Sequence, residues 1–365
     1  MTCLFPVNTP TLKPINMTTM AQFHRLAAWH PASPHQITTI DAHTGGEPLR
    51  IITGGLPDLD GNTILEKRRY MKDNFDHLRK ALMWEPRGHA DMYGCIITPP
   101  VTPTAHFGVL FLHNEGYSTM CGHGIIAVTK VVLECGLLPM KGPETPVNID
   151  SPAGLIRATA KINGDKVESV SFTNVPSFVQ ALGQTVEVVG MGKIKYDIAF
   201  GGAFYAYVDA QEAGVGLTGK DHDELIEKGM AIKRAIMKTF RLGHPFEPEL
   251  NFLYGTIFTG GALTKNAHSR NVCVFAEGEV DRSPTGTGVS GRMALHHARG
   301  EIKVGEPMII ESIVGSTFTC MVKETTTLGP YDAVVPVVEG TAHIMGKHTF
   351  VIDPEDPLKG GFIFR

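Results

Sequence analysis

The sequence lacks the features typical of membrane, nucleic-acid-binding and disulfide-rich proteins. No apolar run approaches the roughly 18 residues that a membrane-spanning helix needs. The 33 Lys and Arg residues nearly balance 37 Asp and Glu, and the net charge of −4 predicts no broad field that would attract nucleic acid or an acidic membrane. These absences favour a small-molecule substrate as the partner.

The six cysteines stand singly along the chain, at Cys3, Cys95, Cys121, Cys135, Cys273 and Cys320. They form no CxxC pair, and no HExxH motif is present, so neither a disulfide framework nor a metal site is predicted. A reducing compartment is therefore expected. Cys95, Cys273 and Cys320 lie in apolar, strand-like runs and are predicted to be core residues.

The first 40 residues contain no Asp or Glu and only two basic residues, Lys13 and Arg25. A mitochondrial transit peptide is usually richer in Arg, so a cytoplasmic location is favoured over a mitochondrial one. Residues 1–36 are predicted to form a disordered extension.

With 365 residues and 42% hydrophobic composition, the chain is long enough for two domains at roughly 100–200 residues each. Short strand-like runs alternate with a few helices, which predicts an α+β fold. Apolar residues recur at helical spacing in 63–83 and 220–239. The predicted division places one lobe at 37–165, with 335–365 as the segment that completes it, and the other at 166–334.

Two short segments resemble each other: Met120-Cys-Gly-His-Gly and Pro284-Thr-Gly-Thr-Gly. Each follows a strand-like run and leads into a helical pattern that ends at a glycine, Gly136 in one case and Gly300 in the other. The repetition predicts two pseudo-symmetric lobes, each contributing one position to a site in the cleft between them.

Cys121 begins one of these helices, where unpaired N–H groups and the positive dipole end favour negative charge. We expect its thiol to be drawn toward thiolate and to act as a base or nucleophile. The alternative is that Cys121 has no chemical role and is a small buried hydrophobic residue. The second turn also spells GxGxxG, but this pattern alone is weak evidence for a dinucleotide site.

Several ordered motifs resemble those of the proline racemase family from about residue 37 to the C-terminus. Besides the two glycine turns, they are Asp41-Ala-His-Thr-Gly-Gly-Glu-Pro-Leu-Arg, Glu85-Pro-Arg-Gly-His-Ala-Asp-Met-Tyr-Gly, His113-Asn-Glu-Gly-Tyr and Arg270-Asn-Val-Cys-Val-Phe. The resemblance implies a proline racemase / diaminopimelate epimerase-like fold, with a mostly antiparallel sheet around a central helix in each lobe. It also implies cofactor-independent catalysis and a homodimer.

In that family, two cysteines face each other across the substrate's Cα. The first matches Cys121, but Thr285 occupies the second position. A hydroxyl is rarely ionised at pH 7, so two-base racemisation should fail. The Cys/Thr pair resembles the branch that dehydrates trans-3-hydroxy-L-proline to Δ1-pyrroline-2-carboxylate. A proline racemase or 4-hydroxyproline 2-epimerase, and an inactive proline-binding protein, remain alternatives.

By the same resemblance, the backbone amides of Gly122, His123, Gly286 and Thr287 would bind the substrate carboxylate. The side chains of His123 and Asp281 would hold the ring amine. Without the resemblance, Asp281 would serve equally well as a turn residue, and His123 would be read as a packed histidine at a helix start.

Overall fold

The computed structural model describes residues 35–364, so the predicted extension at 1–36 lies outside the described residues except for its last two. The four α-helices of this part of the chain are α1 (Ile64–Met83), α2 (Gly122–Glu134), α3 (His222–Thr239) and α4 (Gly286–Ala298). None of them is long and apolar enough to cross a membrane.

The strands of the first half are β1 (Gln36–Thr44), β2 (Glu47–Gly54), β3 (Tyr93–Thr98), β4 (Phe107–His113), β5 (Tyr117–Ser118), β6 (Glu144–Ser151), β7 (Gly154–Asn163) and β8 (Lys166–Thr173). Those that follow are β9 (Ser177–Val188), β10 (Gly192–Phe200), β11 (Phe204–Asp209), β12 (Leu253–Gly260), β13 (Ser269–Phe275), β14 (Glu279–Val280), β15 (Pro307–Glu311), β16 (Thr317–Leu328), β17 (Tyr331–Gly340) and β18 (Ala342–Val351).

The order of elements in the first half returns in the second. In the first half, α1 joins the parallel pair β2 and β3, and α2 lies between the parallel neighbours β4 and β6. In the second, α3 joins the parallel pair β11 and β12, and α4 lies between β13 and β15. The other strand pairs are antiparallel. The repetition predicted from the two glycine turns therefore extends to the surrounding strands.

The strand pairings connect the two halves at several places. Strands β9 to β13 and β15 to β17 form a ring, because β17 pairs with both β16 and β9. Strand β17 also pairs with β8, and β18 returns to pair along β1. Both cysteine-bearing and threonine-bearing turns are thus held by one continuous network of strands.

Local sequence explains where the helices begin and end. Helix α1 starts with a capping box, in which Thr63 accepts from the N–H of Glu66 and Glu66 accepts from the N–H of Thr63. Helices α2 and α4 are followed by Gly136 and Gly300, both in the left-handed region at φ 75° and 71°. Helix α2 is apolar on nearly all sides, and residues 122–129 are all buried.

Candidate active site

The N-termini of α2 and α4 meet face to face. A Cβ placed on Gly122 would lie 2.5 Å from the Cα of Gly286, and a Cβ on Gly286 would lie 2.5 Å from the Cα of Gly122. Only glycine allows these two segments of the backbone to approach so closely. The first N–H groups of both helices have no acceptor within their helix, and both positive dipole ends point to one place. This geometry favours an anion such as a carboxylate.

A buried cavity of about 20 Å³, roughly the room that one water needs, lies where the helices meet. Among its lining residues are all seven predicted site residues: Cys121, Gly122, His123, Asp281, Thr285, Gly286 and Thr287. Their roles are a separate question, but the structure brings them together. Because the side chains around the cavity are at most 8% exposed, water has little access to it.

Cys121 is the N-cap residue of α2, and its Sγ accepts a hydrogen bond from the N–H of Gly124 at 3.2 Å. The imidazole Nδ1 of His123 lies 3.3 Å from the same sulfur. Burial raises the pKa of the thiol well above its usual value; the Gly124 amide opposes this and the Asp281 carboxylate adds to it. Burial in this closed site thus works against the expected effect of the helix start, and a thiolate at Cys121 stays a prediction.

Thr285 is the N-cap residue of α4, but it does not cap the helix. Its backbone has φ 68°, a region that a β-branched residue rarely adopts, whereas Cys121 is extended at φ −143°. Its hydroxyl is buried and makes no hydrogen bond of normal geometry. The two pseudo-equivalent positions therefore differ in backbone conformation as well as in side chain, and strain of this kind concentrates at functional sites.

Cys273 was predicted to be a core residue, and it is fully buried, but it also lines the cavity. Burial raises the pKa of its thiol well above the usual value, the Asp281 carboxylate raises it further, and the Thr285 hydroxyl beside it lowers it. The prediction was therefore incomplete: a second thiol lines the cavity next to Thr285.

His123 lies in the first turn of α2, Asp281 directly follows β14, and both line the cavity. Burial lowers the pKa of His123, and the Asp281 carboxylate opposes that effect. A neutral imidazole can accept a hydrogen bond from an ammonium group. Asp281 Oδ1 accepts from the N–H of Ser283 at 2.7 Å, so Asp281 is a turn residue as well as part of the cavity wall.

Glu47, which the sequence showed only as part of a motif, connects the first half to the chain beside Asp281. Its Oε2 accepts from the N–H of Arg282 at 2.7 Å, and Arg282 pairs with Asp91 at 2.6 Å. Burial raises the pKa of Glu47 well above its usual value, and the Asp281 charge adds to the effect. A buried carboxyl whose protonated form is favoured therefore lies beside the Asp281 side chain of the cavity wall.

Three tyrosines of the cavity wall were not predicted: Tyr93, Tyr205 and Tyr254. Tyr93 belongs to the quoted motif at 85–94, whereas no quoted motif contains Tyr205 or Tyr254. The Tyr205 hydroxyl lies 2.7 Å from that of Thr287. Among residues 35–364 no group of three or more His, Cys, Asp or Glu side chains is placed to hold a metal ion.

Comparison with known proteins agrees with this architecture. The family model for proline racemase matches residues 39–363. The trans-3-hydroxy-L-proline dehydratase of Colwellia psychrerythraea is 52% identical over 341 residues, covering 92% of this chain and 96% of the relative. The enzyme of the same name from Bacillus thuringiensis subsp. konkukian is 50% identical over 326 residues, covering 89% and 97%.

Among solved structures, a hydroxyproline epimerase from Agrobacterium vitis with bound trans-4-hydroxy-L-proline superposes with a TM-score of 0.85. It is 32% identical, and the match covers 91% of this chain and 96% of that one. A Bacillus anthracis protein of the PhzF family shares the fold at 11% identity and a TM-score of 0.56, over 87% and 99% of the two chains. The family model spans nearly all of the described residues, and the chain belongs to the proline racemase family.

Proposed function

We propose that this protein removes water from trans-3-hydroxy-L-proline and forms Δ1-pyrroline-2-carboxylate, with Cys121 as the base. The observation that carries the proposal is the unequal pair of N-cap residues, a thiol at Cys121 and a hydroxyl at Thr285, at the meeting point of two helix ends. Relatives about half identical to the chain are named for this reaction. A single good base permits proton removal but not racemisation.

The proposed binding mode uses the groups already described. The amides of Gly122, His123, Gly286 and Thr287 bind the carboxylate, because these N–H groups lie at the two facing helix ends. His123 and Asp281 hold the ring amine. A charge-assisted hydrogen bond of this kind contributes roughly 1.5–3 kcal/mol.

In trans-3-hydroxy-L-proline, the α-hydrogen and the 3-hydroxyl lie on the same face of the ring. Cys121 removes the α-proton as negative charge spreads into the bound carboxylate, where the amides stabilise it. The hydroxyl then leaves from the Cys121 side as water, and the enamine tautomerises. The ammonium of the bound substrate offsets the Asp281 charge, so it opposes one cause of the raised pKa of Cys121.

The two-lobe organisation belongs to the same proposal: each lobe is a mostly antiparallel sheet around a central helix, with the substrate in the cleft. The division into 37–165 with 335–365 and 166–334, the homodimer, the absence of a cofactor and the cytoplasmic location stay predictions.

Epimerisation of proline or 4-hydroxyproline is the second candidate, because the thiol of Cys273 lies beside Thr285. Cys273 lies within β13, whereas Cys121 stands at a helix N-terminus and accepts the N–H of Gly124, and this difference favours dehydration. An inactive proline-binding protein would retain the carboxylate site without turnover.

Proton NMR of the enzyme with trans-3-hydroxy-L-proline, L-proline or trans-4-hydroxy-L-proline in D2O separates the three candidates. We expect pyrroline-2-carboxylate from the first compound and no epimers from the others. Epimers deuterated at Cα would identify the protein as a racemase or epimerase. No change in any sample would indicate an inactive proline-binding protein.

Cys121→Ser should lower the rate of elimination by roughly 10²–10⁴-fold, because a positioned base contributes about that much. The matched control is Cys135→Ser, which removes an exposed thiol at the other end of the same helix. Turnover of the Cys121 variant within about tenfold of wild type would remove this residue from the mechanism.

A further inference from the structure

Two buried phenols line the cavity beside Cys121 and have no part in the mechanism so far. Tyr93 begins β3 and Tyr254 lies near the start of β12. The Tyr93 ring packs edge-on against His123 with centroids 4.8 Å apart, and its hydroxyl contacts that of Ser118. The same hydroxyl faces the Cys121 thiol and lowers its pKa.

Tyr254 carries a buried hydroxyl that lacks a hydrogen-bond partner. It lies close enough to the Tyr93 hydroxyl for each group to affect the pKa of the other, although the two do not form a hydrogen bond of normal geometry. Stacking on Phe275, with centroids 5.3 Å apart, fixes the ring. A buried hydroxyl left unpaired costs roughly 1–3 kcal/mol, which a polar group of a ligand can recover.

The substrate has one polar group that the proposed binding mode leaves unassigned. Its carboxylate meets the helix ends and its amine meets His123 and Asp281, so the 3-hydroxyl remains. That hydroxyl lies on the face of the ring from which Cys121 takes the proton. Tyr93 and Tyr254 both lie near Cys121, on the wall of the same cavity.

We propose that Tyr254 is a catalytic residue that binds the 3-hydroxyl of the substrate and protonates it as it leaves, and that Tyr93 returns the proton from Cys121. This inference rests on the proposed dehydration. It assigns the acid of the reaction, whereas Cys121 is its base.

The proton balance closes within the site. The Cα–H bond breaks and an S–H bond forms on Cys121; the C3–O bond breaks and the oxygen leaves as water with the proton of Tyr254. The Tyr254 phenolate takes the proton of Tyr93, and Tyr93 takes the proton from the thiol. The base is restored as thiolate, both phenols are restored, and the ring retains a C2=C3 double bond. No further reactant is needed.

Both phenols hold the proton that the proposed transfer requires. Burial raises the pKa of both Tyr93 and Tyr254 well above the usual value, so both hydroxyls stay protonated at neutral pH. Tyr254 also borders a larger groove between α1 and α3, lined by Arg68, Lys72 and Glu249 among others. The path of the proton therefore runs from the Cys121 thiol through Tyr93 to Tyr254, which forms the wall between the cavity and that groove. This path is called the relay below.

The test compares two leaving groups in Tyr254→Phe. Hydroxide must be protonated as it leaves, whereas fluoride leaves without a proton. With trans-3-hydroxy-L-proline we expect a rate loss of roughly 10²–10⁴-fold, the usual contribution of a positioned acid. With trans-3-fluoro-L-proline we expect a rate within about tenfold of wild type, measured as released fluoride, since no acid is then required.

Tyr196→Phe is the matched control, because Tyr196 is equally buried but lies outside the cavity wall; it should change neither rate. Equal losses for both substrates in Tyr254→Phe, or unimpaired dehydration, would overturn the assignment. If that variant does not fold, as judged by circular dichroism, Tyr93→Phe must show the larger loss with the hydroxyl substrate, and equal losses there overturn the relay. Wild type that forms no pyrroline-2-carboxylate from trans-3-hydroxy-L-proline would refute the proposed function and this inference with it.

Discussion

Replacement of Gly122 by alanine tests the closest contact of the site. The added Cβ would lie 2.5 Å from the Cα of Gly286 and 3.1 Å from the Cζ of Phe172. Carbon atoms normally meet at roughly 3.5–4.0 Å. The shortfall of about 1 Å lies against backbone, which cannot turn away as a flexible side chain can. The two helix ends must therefore move apart.

Two consequences follow, and they can be measured separately. Overpacking of this kind costs roughly 1–3 kcal/mol of folding stability. A displacement of about 1 Å at a reacting centre lowers the rate by roughly 100-fold. We therefore expect kcat/KM for trans-3-hydroxy-L-proline to fall about 100-fold in Gly122→Ala, with a smaller free energy of unfolding in urea. Gly286→Ala should behave alike, because the contact is reciprocal.

Gly261→Ala provides the control, since a Cβ at that position meets no atom within 4 Å. It should match wild type in both measurements. If Gly122→Ala retained kcat/KM within tenfold of wild type and the stability of the Gly261 variant, the close approach of the helix ends would have no part in catalysis.

Two further predictions concern residues beside the helix ends. Thr285→Cys should gain epimerisation of 4-hydroxyproline that chiral chromatography detects, because it restores a second thiol opposite Cys121. The variant is kept under reducing conditions because the Cys273 thiol lies beside position 285. If it epimerises no more than wild type, a second thiol at 285 is not sufficient for epimerisation. For Glu47, the raised pKa means that the folded chain holds a proton that the unfolded chain releases. Its contribution to stability is thus full below the unfolded pKa and is lost as pH rises toward the folded pKa. Glu47→Gln removes that loss, so its stability in urea relative to wild type should increase from pH 5 to pH 8; a difference that does not change with pH would show that Glu47 ionises freely.

The sequence was a good guide to the local elements. Helical periodicity predicted a helix at 63–83, and α1 spans Ile64–Met83. The glycines after α2 and α4 marked both helix ends, because the left-handed region required there favours glycine. Similar turns in the two halves predicted a repeated arrangement. The family resemblance named seven site residues, and the structure places all seven around one cavity.

The sequence failed where the result depends on burial or on distant contacts. A helix start suggested a thiolate at Cys121, but burial acts in the opposite direction on its pKa, and no local pattern reveals that burial. A threonine before a helix normally caps it, whereas Thr285 is held at positive φ by its surroundings and does not. Tyr93 and Tyr254 are far apart in sequence and meet only because β3 and β12 both reach the cavity.

The facing helix ends have a consequence for how this architecture diversifies. Their carboxylate-binding groups would be main-chain amides, so substitutions at cavity positions other than Gly122 and Gly286 leave them in place. A change at one flanking position, such as cysteine or threonine at 285, can then alter the chemistry while the amino acid remains anchored in the same orientation. A scaffold of this kind can acquire a new reaction through single substitutions without passing through forms that no longer hold the ligand.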